Sequence, residues 1–347
     1  MYGNFCSGPR VTGCTFSVFG KTLDVYSWIR FVLKMGPFLY SEMSPFRIQN
    51  IQEVIMMDDP LNYDGIGEKE ILVVSFGTSF NDSRIRDIKG IEDAFIQSFP
   101  EWKIRRAFTS QMIIDHIEKR DGEKIDNVDT ALQRALENGV KEIIIQPTHL
   151  MQGEEYDKIL RYVEKYRDRF EKVRIAQPLL GEVGEHASIS NEDKEAVASI
   201  IVREALQEAG YSDMHKAQED GTAFVFMGHG TWHNAKISYS QMQRQMETLG
   251  YQNVFIGTVE GNPEETSCEN ILFRVKKEGY RKVILRPMMV VAGDHANNDM
   301  AGPEEDSWVN MFQNSGAFSK VETQIKGLGE IKEIQDLYIS HTKAAIK

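Results

Sequence analysis

The stretch "GVKEIIIQPTHLMQGEEYDK", residues 139–158, decides the fold because a second stretch, "GYRKVILRPMMVVAGDHANN" at 279–298, follows the same plan. Each runs from a glycine through a basic residue into an apolar run, reaches a proline, and meets a glycine six residues later. Pro147 thus matches Pro287, and Gly153 matches Gly293. Apolar runs of this length, bounded by glycine and proline, read as buried strands. A shorter match sets "VVSFGTS" (73–79) against "FVFMGHG" (224–230), with Gly77 opposite Gly228. Two copies of one β-α-β plan are the simplest account of these matches.

The surrounding sequence extends the plan in both directions. From Glu70 onward, "EILVVSFG", "KIRRAFT", "VKEIIIQPTHL" and "KVRIAQPLL" read as strands, separated by helical stretches. Ser110 is the expected N-cap of the helix "SQMIIDHIEKR". The scheme restarts with the helix "NEDKEAVASIIVREALQEAG" and the strands "GTAFVFMGHG", "NVFIGTVE" and "RKVILRPMMVV". The expectation is an α/β fold of two similar Rossmann-like domains, their parallel sheets flanked by helices and facing each other across a cleft. The first domain is placed at 68–190 and the second, carrying the chemistry, at 191–329. A terminal helix at about 330–347 is expected to pack on the first. Residues 1–67 read as an extension without sustained periodicity, ending in the turn-rich "DDPLNYDGIGEKE". Within it "WIRFVLKM" suits a short amphipathic helix, and the role of the extension is left open.

Composition narrows the function. The 347 residues carry a formal net charge of -12, against a nucleic-acid surface, which needs a basic footprint. Cys6, Cys14 and Cys268 are widely spaced with no C-x-x-C pair, which fits a reducing cytoplasm. No apolar run reaches the ~18 residues of a membrane span. There is no G-x-x-x-x-G-K-[ST] loop, no G-x-S-x-G elbow, and no G-x-G-x-x-G after the first strand, so no nucleotide cofactor is expected.

Ligands of such sheets sit beyond the carboxyl ends of the strands. His229 directly follows "FVFMG", Glu260 follows "FIGTV", and His295 follows "MMVVAG" by one residue. Two imidazoles and a carboxylate suit a first-row divalent metal with positions left open for substrate. A histidine also suits proton removal, since it titrates near neutrality. His233 is a rival partner for His229 at the i, i+4 spacing of helical metal pairs. Gly230 and Thr231 between them disfavour a helix, and no H-E-x-x-H glutamate is present. His149 holds the equivalent strand end of the first half, whereas His116, His186, His215 and His341 look like surface residues.

The motifs "LVVSFGTS", "RAFTSQMII", "GEEYDKI", "VFMGHG" and "MVVAGDHANNDMAG" together resemble the anaerobic cobalt chelatase (CbiK) family of sirohydrochlorin cobaltochelatases. The resemblance runs from about Glu70 to the C-terminus. It implies a chelatase-like fold and insertion of Co(II), as substrate metal, into the tetrapyrrole sirohydrochlorin on the anaerobic route to cobalamin. It also implies a metal site of His229, Glu260 and His295, with His229 as proton acceptor. Iron or nickel as the metal, or a non-catalytic tetrapyrrole or metal carrier, are the alternatives, and a homo-oligomer is left open. Sirohydrochlorin carries many carboxylates, so an acidic chain needs local cations. Arg105, Arg106, Arg120, Lys236 and Arg286 are the candidates, Arg120 first because the family has a similar "RDG" segment. "SFGTS" would offer backbone N–H groups and the Ser75 and Thr78 hydroxyls to a carboxylate.

Overall fold

A computed structural model describes residues 61–65 and 67–347, together with the backbone of β1 (Thr15–Val18) and β2 (Lys21–Asp24). These two strands pair antiparallel. They belong to a unit separate from the one that begins at Asp58 and runs to Lys347. The segment "WIRFVLKM" lies outside the described residues. The larger unit starts ahead of the boundary at residue 68 read from the sequence. Asn62 is already buried, and Gly65 N–H donates to Asn138 Oδ1 at 2.7 Å.

Two four-stranded parallel sheets form the rest. The first comprises β3 (Lys69–Ser75), β4 (Lys103–Phe108), β5 (Glu142–Pro147) and β6 (Lys172–Ile175), in the order β4-β3-β5-β6. The second comprises β7 (Thr222–Gly228), β8 (Val254–Thr258), β9 (Lys282–Pro287) and β10 (Lys320–Thr323), in the order β8-β7-β9-β10. The orders are the same, as a duplicated plan requires. Strands β3 and β7 are buried almost end to end, because both sheet faces are covered by helices. This is why they read as unbroken apolar runs rather than alternating ones.

Corresponding hydrogen bonds at the strand ends fix the match between halves. Thr148 N–H donates to Val74 O as Met288 N–H does to Met227 O, and Ser110 N–H donates to Phe76 O as Glu260 N–H does to His229 O. The glycine match read from the sequence is therefore two residues out of step. Gly77 corresponds to Gly230, not to Gly228. Both sit at positive φ, +100° and +92°, a region open to glycine.

In the first half, α1 (Lys89–Ser98), α2 (Gln111–Asp121), α3 (Val128–Glu137) and α4 (Glu154–Tyr166) follow the strands. The helical run before α1 starts at Asn81, and its Arg84–Ile88 segment is a π turn. Ser110 precedes α2 in extended backbone, but its side chain makes no capping bond, contrary to expectation. The second half carries α5 (Glu192–Ala209), α6 (Met214–Glu219), α7 (Ile237–Thr248), α8 (Cys268–Lys277) and α9 (Trp308–Asn314). Asn191 caps α5 through Lys194 N–H, and Gly210 ends it in the left-handed region.

The final helix, α10 (Lys332–Ile346), returns to the first sheet. Thr342 Oγ1 donates to Gln146 Oε1 at 2.6 Å and Tyr338 OH donates to His149 O at 3.2 Å. One core joins the halves: Ile71, Val73 and Phe95 share it with Ile201, Phe224, Phe226, Met242 and Ile334. No helix among the described residues is long and apolar enough to cross a membrane.

Candidate metal and proton-transfer site

The site is built on three turns that leave the second sheet. The first is Gly228–His229–Gly230, after β7. A Cβ at Gly228 would overlap the Tyr239 ring, so only glycine admits that ring beneath the turn. Tyr239 is buried in α7, and its phenol oxygen accepts from Gly230 N–H at 3.0 Å. Burial pushes this phenol up to about 12, partly offset by the Gly230 and His229 backbone amides, so it stays protonated. The second turn, after β8, carries Glu260, tied to the first by Glu260 N–H donating to His229 O at 2.9 Å. A Cβ at Gly230 would stand 2.7 Å from Glu260 Cβ, so the two turns are in contact. The third, after β9, is Gly293–Asp294–His295.

The fold brings His229 and His295 together from turns 66 residues apart, with ring centroids 4.6 Å apart and planes at 84°. The hydrogen bonds fix their tautomers. His229 Nδ1 is 2.8 Å from the Gly230 carbonyl, which can only accept, so Nδ1 carries the proton. His295 Nδ1 is 2.7 Å from Asp299 Oδ2, a carboxylate four residues along the same helical turn. Each ring therefore keeps its Nε2 lone pair for a metal or a proton, the arrangement that second-shell acceptors impose on ligating histidines. Neither Nε2 has a hydrogen-bond partner among the described residues. His229 and Glu260 are exposed, and His295 is half-buried.

Glu260 is close in backbone terms only. No three His, Cys, Asp or Glu side chains among the described residues are grouped tightly enough to hold a metal. The Glu260 side chain lines a cleft of about 640 Å³ that also receives Glu269, Glu305 and Asp306. A rotamer change at Glu260 would be needed to join it to the histidine pair.

His233 is not part of a helical pair with His229. Gly230 breaks the helix, and His233 Nδ1 instead accepts from Ala235 N–H at 3.1 Å. That leaves its Nε2 to face Asp157 of the first half at 3.3 Å. The remaining expected residues divide sharply. Ser75 is buried, its hydroxyl shared with Thr148 Oγ1 at 2.7 Å, so it joins β3 to β5 instead of facing open space. Thr78 is buried beside Gly293, and its Oγ1 accepts from Phe80 N–H at 3.1 Å.

Arg120 is 39% exposed at its side chain, pairs with Asp121, and donates to Ser79 O at 2.6 Å. It thereby braces the segment after β3. Arg105, Arg106 and Arg286 are buried and do not line an open cleft. Arg105 bonds Glu70 and Asp126, Arg106 bonds Glu92, and Arg286 bonds Glu208. Each sits in a strand buried on both faces, where an unpaired charge would be costly, so each carries its own carboxylate. Lys236 stays near the site, with its Nζ 3.3 Å from Asn262 Oδ1.

His341 is also not a surface residue. It is 10% exposed at its side chain and bonds Asp193 at 2.8 Å. Tyr239 had no signal in the sequence. Asp299 had one, the His-x-x-x-Asp spacing that puts both side chains on one helical face.

The first half has different residues at the three corresponding positions. By the matched hydrogen bonds, Phe76 stands where His229 does, and Ser110 where Glu260 does. By the aligned 139–158 and 279–298 stretches, Glu155 stands where His295 does. His149 lies on the first-half side, with both ring nitrogens buried and unpartnered. Burial holds its ring well below the usual range, at about 4, so it is neutral near pH 7.

The family model "Cobalt chelatase (CbiK)" matches residues 69–347. Sirohydrochlorin cobaltochelatase of Salmonella typhimurium is 33% identical over 279 residues, 80% of this chain and 97% of that protein. Sirohydrochlorin cobaltochelatase CbiKC of Nitratidesulfovibrio vulgaris is 27% identical over 281 residues, 80% of this chain and 91% of that protein. The solved structure "SirB from Bacillus subtilis with Fe3+" shares the fold, with a TM-score of 0.52 at 11% identity, covering 80% of this chain and 96% of its own. The chain therefore belongs to the cobalt chelatase (CbiK) family.

Proposed function

We propose that this chain inserts Co(II) into sirohydrochlorin, using His229 and His295 as metal ligands, Glu260 as the third, and His229 as proton acceptor. The observation that carries this is the pair of imidazoles at 4.6 Å, each with its Nδ1 occupied and its Nε2 free. The names of the two relatives support cobalt and sirohydrochlorin as the substrates.

The reaction exchanges two pyrrole N–H protons for one divalent ion, with no redox step and no nucleotide. His229 Nε2 can ligate the ion or take a proton, but not both at once, so its role changes as the ion leaves for the macrocycle. The Gly230 carbonyl on Nδ1 stabilises the imidazolium that then forms. Phe76, Met112 and Trp232 are exposed apolar side chains, Phe76 and Trp232 just past β3 and β7 and Met112 near the start of α2. They offer contact to a flat macrocycle. Lys236 and Arg120 are the cations proposed for its carboxylates, and the Thr78 segment supplies backbone N–H groups.

The test is to incubate purified chain with sirohydrochlorin and Co(II) and follow the absorption spectrum over many turnovers. Conversion above the uncatalysed rate supports the reading. Stoichiometric binding without turnover favours a carrier, and faster insertion of iron or nickel changes the metal.

A further inference from the structure

Ala292 lies three residues before His295, and both of its backbone groups are held by side chains from the other half of the fold. Its N–H donates to Asp87 Oδ2 at 2.8 Å, and its carbonyl accepts from Ser83 Oγ at 2.6 Å. Ser83 and Asp87 are four residues apart on the helical run before α1, so both face the same way. Both are buried, as is Ala292. The next residue is also fitted to the first half, since a Cβ at Gly293 would stand 3.1 Å from Thr78 Oγ1. Asn297 then donates to the Ala292 and Gly293 carbonyls, at 3.1 and 2.7 Å, tying this segment to the turn that carries His295.

Asp87 is enclosed on its other side. A Cβ at Gly327 would overlap its carboxyl group, and its Oδ1 has no hydrogen-bond partner. A buried carboxyl with a single hydrogen bond among the described residues is costly to keep, and packing alone would be better served by an apolar side chain.

We propose that Asp87 and Ser83 are positioning residues, which fix His295 against His229 by clamping both backbone groups of Ala292 to the first half. The proposal rests on the chelatase reading for its link to turnover. Charge on Asp87 strengthens the clamp, because a carboxylate accepts a backbone N–H more strongly than a neutral acid does. Burial pushes this carboxyl up to about 7, with the Ala292 amide opposing. The charged groups around it are Arg86 on its own helical run, and Glu330 and Lys326 from the segment after β10. The clamp therefore loosens as pH falls through about 7.

The experiment uses the full chain and its Asp87→Leu, Asp87→Asn and Ser83→Ala variants. It measures cobalt insertion from pH 6 to 8.5 (kcat and KM separately), and Co(II) binding without tetrapyrrole by competition against a chromophoric chelator. Asp87→Leu should lower kcat about 10-fold or more, leave KM for sirohydrochlorin within about twofold, and weaken Co(II) binding by a comparable factor, as sub-ångström misplacement of a reacting group does. Asp87→Asn keeps an oxygen for the Ala292 N–H, so it should recover most of both losses and remove the pH inflection near 7. Ser83→Ala should act in the same direction as Asp87→Leu, and it carries the test alone if the leucine variant does not fold.

Wild-type kcat and Co(II) affinity in folded Asp87→Leu or in Ser83→Ala would overturn the proposal. So would equal damage from asparagine and leucine. If the wild-type chain inserts no cobalt, the chelatase reading fails, and the Co(II) titrations still decide the clamp.

Discussion

Replacing Tyr239 by phenylalanine isolates one atom beneath the turn that carries His229. The phenylalanine ring refills the space under Gly228, so packing is nearly unchanged. What is lost is the phenol oxygen that accepts from Gly230 N–H at 3.0 Å. Gly230 is buried, so no water replaces that acceptor. A buried amide left without a partner costs about 1–3 kcal/mol, and the lower half of that range applies here because the turn can relax slightly. Urea unfolding at pH 7.5 should therefore show a loss of about 1–2 kcal/mol. The same relaxation moves His229 relative to His295, and kcat for cobalt insertion should fall about 10-fold, with little change in KM for the tetrapyrrole. Stability within about 0.3 kcal/mol of wild type, with unchanged kcat, would show that the turn needs no support from Tyr239.

Gly230→Ala should be harsher. A residue with a Cβ at φ +92° costs about 1–2 kcal/mol, and the new methyl would stand 2.7 Å from Glu260 Cβ, so both stability and turnover fall. Glu260→Gln should weaken Co(II) binding about 10-fold while leaving the unfolding midpoint unchanged, because the side chain is exposed. Equal affinity in a competition titration would remove Glu260 from the ligand set. His149 gives a pH signature. Its folded value of about 4 lies below the ordinary 6.5, so it contributes stability above pH 6.5 that is lost as pH falls towards 4. Glu70 and Asp87, raised to about 7, act in the opposite direction over that range. The contribution is therefore read as the difference between wild type and His149→Gln, which should shrink by up to about 3 kcal/mol between pH 7 and 4.

The strands were legible because burial on both faces leaves an unbroken apolar signature, and the meeting of His229 with His295 was legible because each follows such a run. The repeat was legible in its prolines. Its glycine register was not, since the eye pairs Gly77 with the first available glycine, whereas the strand-end hydrogen bonds pair it with Gly230. The arginines misled for a related reason. Arg105 in "KIRRAFT" looks like an available cation, but its partners Glu70 and Asp126 are 35 and 21 residues away and meet it only in the folded sheet. Tyr239 and Asp87 were invisible because their roles are bonds to backbone groups of distant turns, which leave no pattern in side-chain spacing. His341 looked exposed for want of knowing that α10 returns to the first half, at the Gln177 carbonyl, and there also meets Asp193 of α5.

Cobalt insertion by His229→Ala, compared with the wild-type chain, tests the central claim most directly. Absorbance changes on mixing sirohydrochlorin with Co(II) give the rate, and circular dichroism confirms the fold of the variant. The account predicts multiple turnovers in the wild type and a loss of about 100-fold or more in the variant, since the base and one ligand go together. A folded His229→Ala protein that inserts cobalt at the wild-type rate would contradict it.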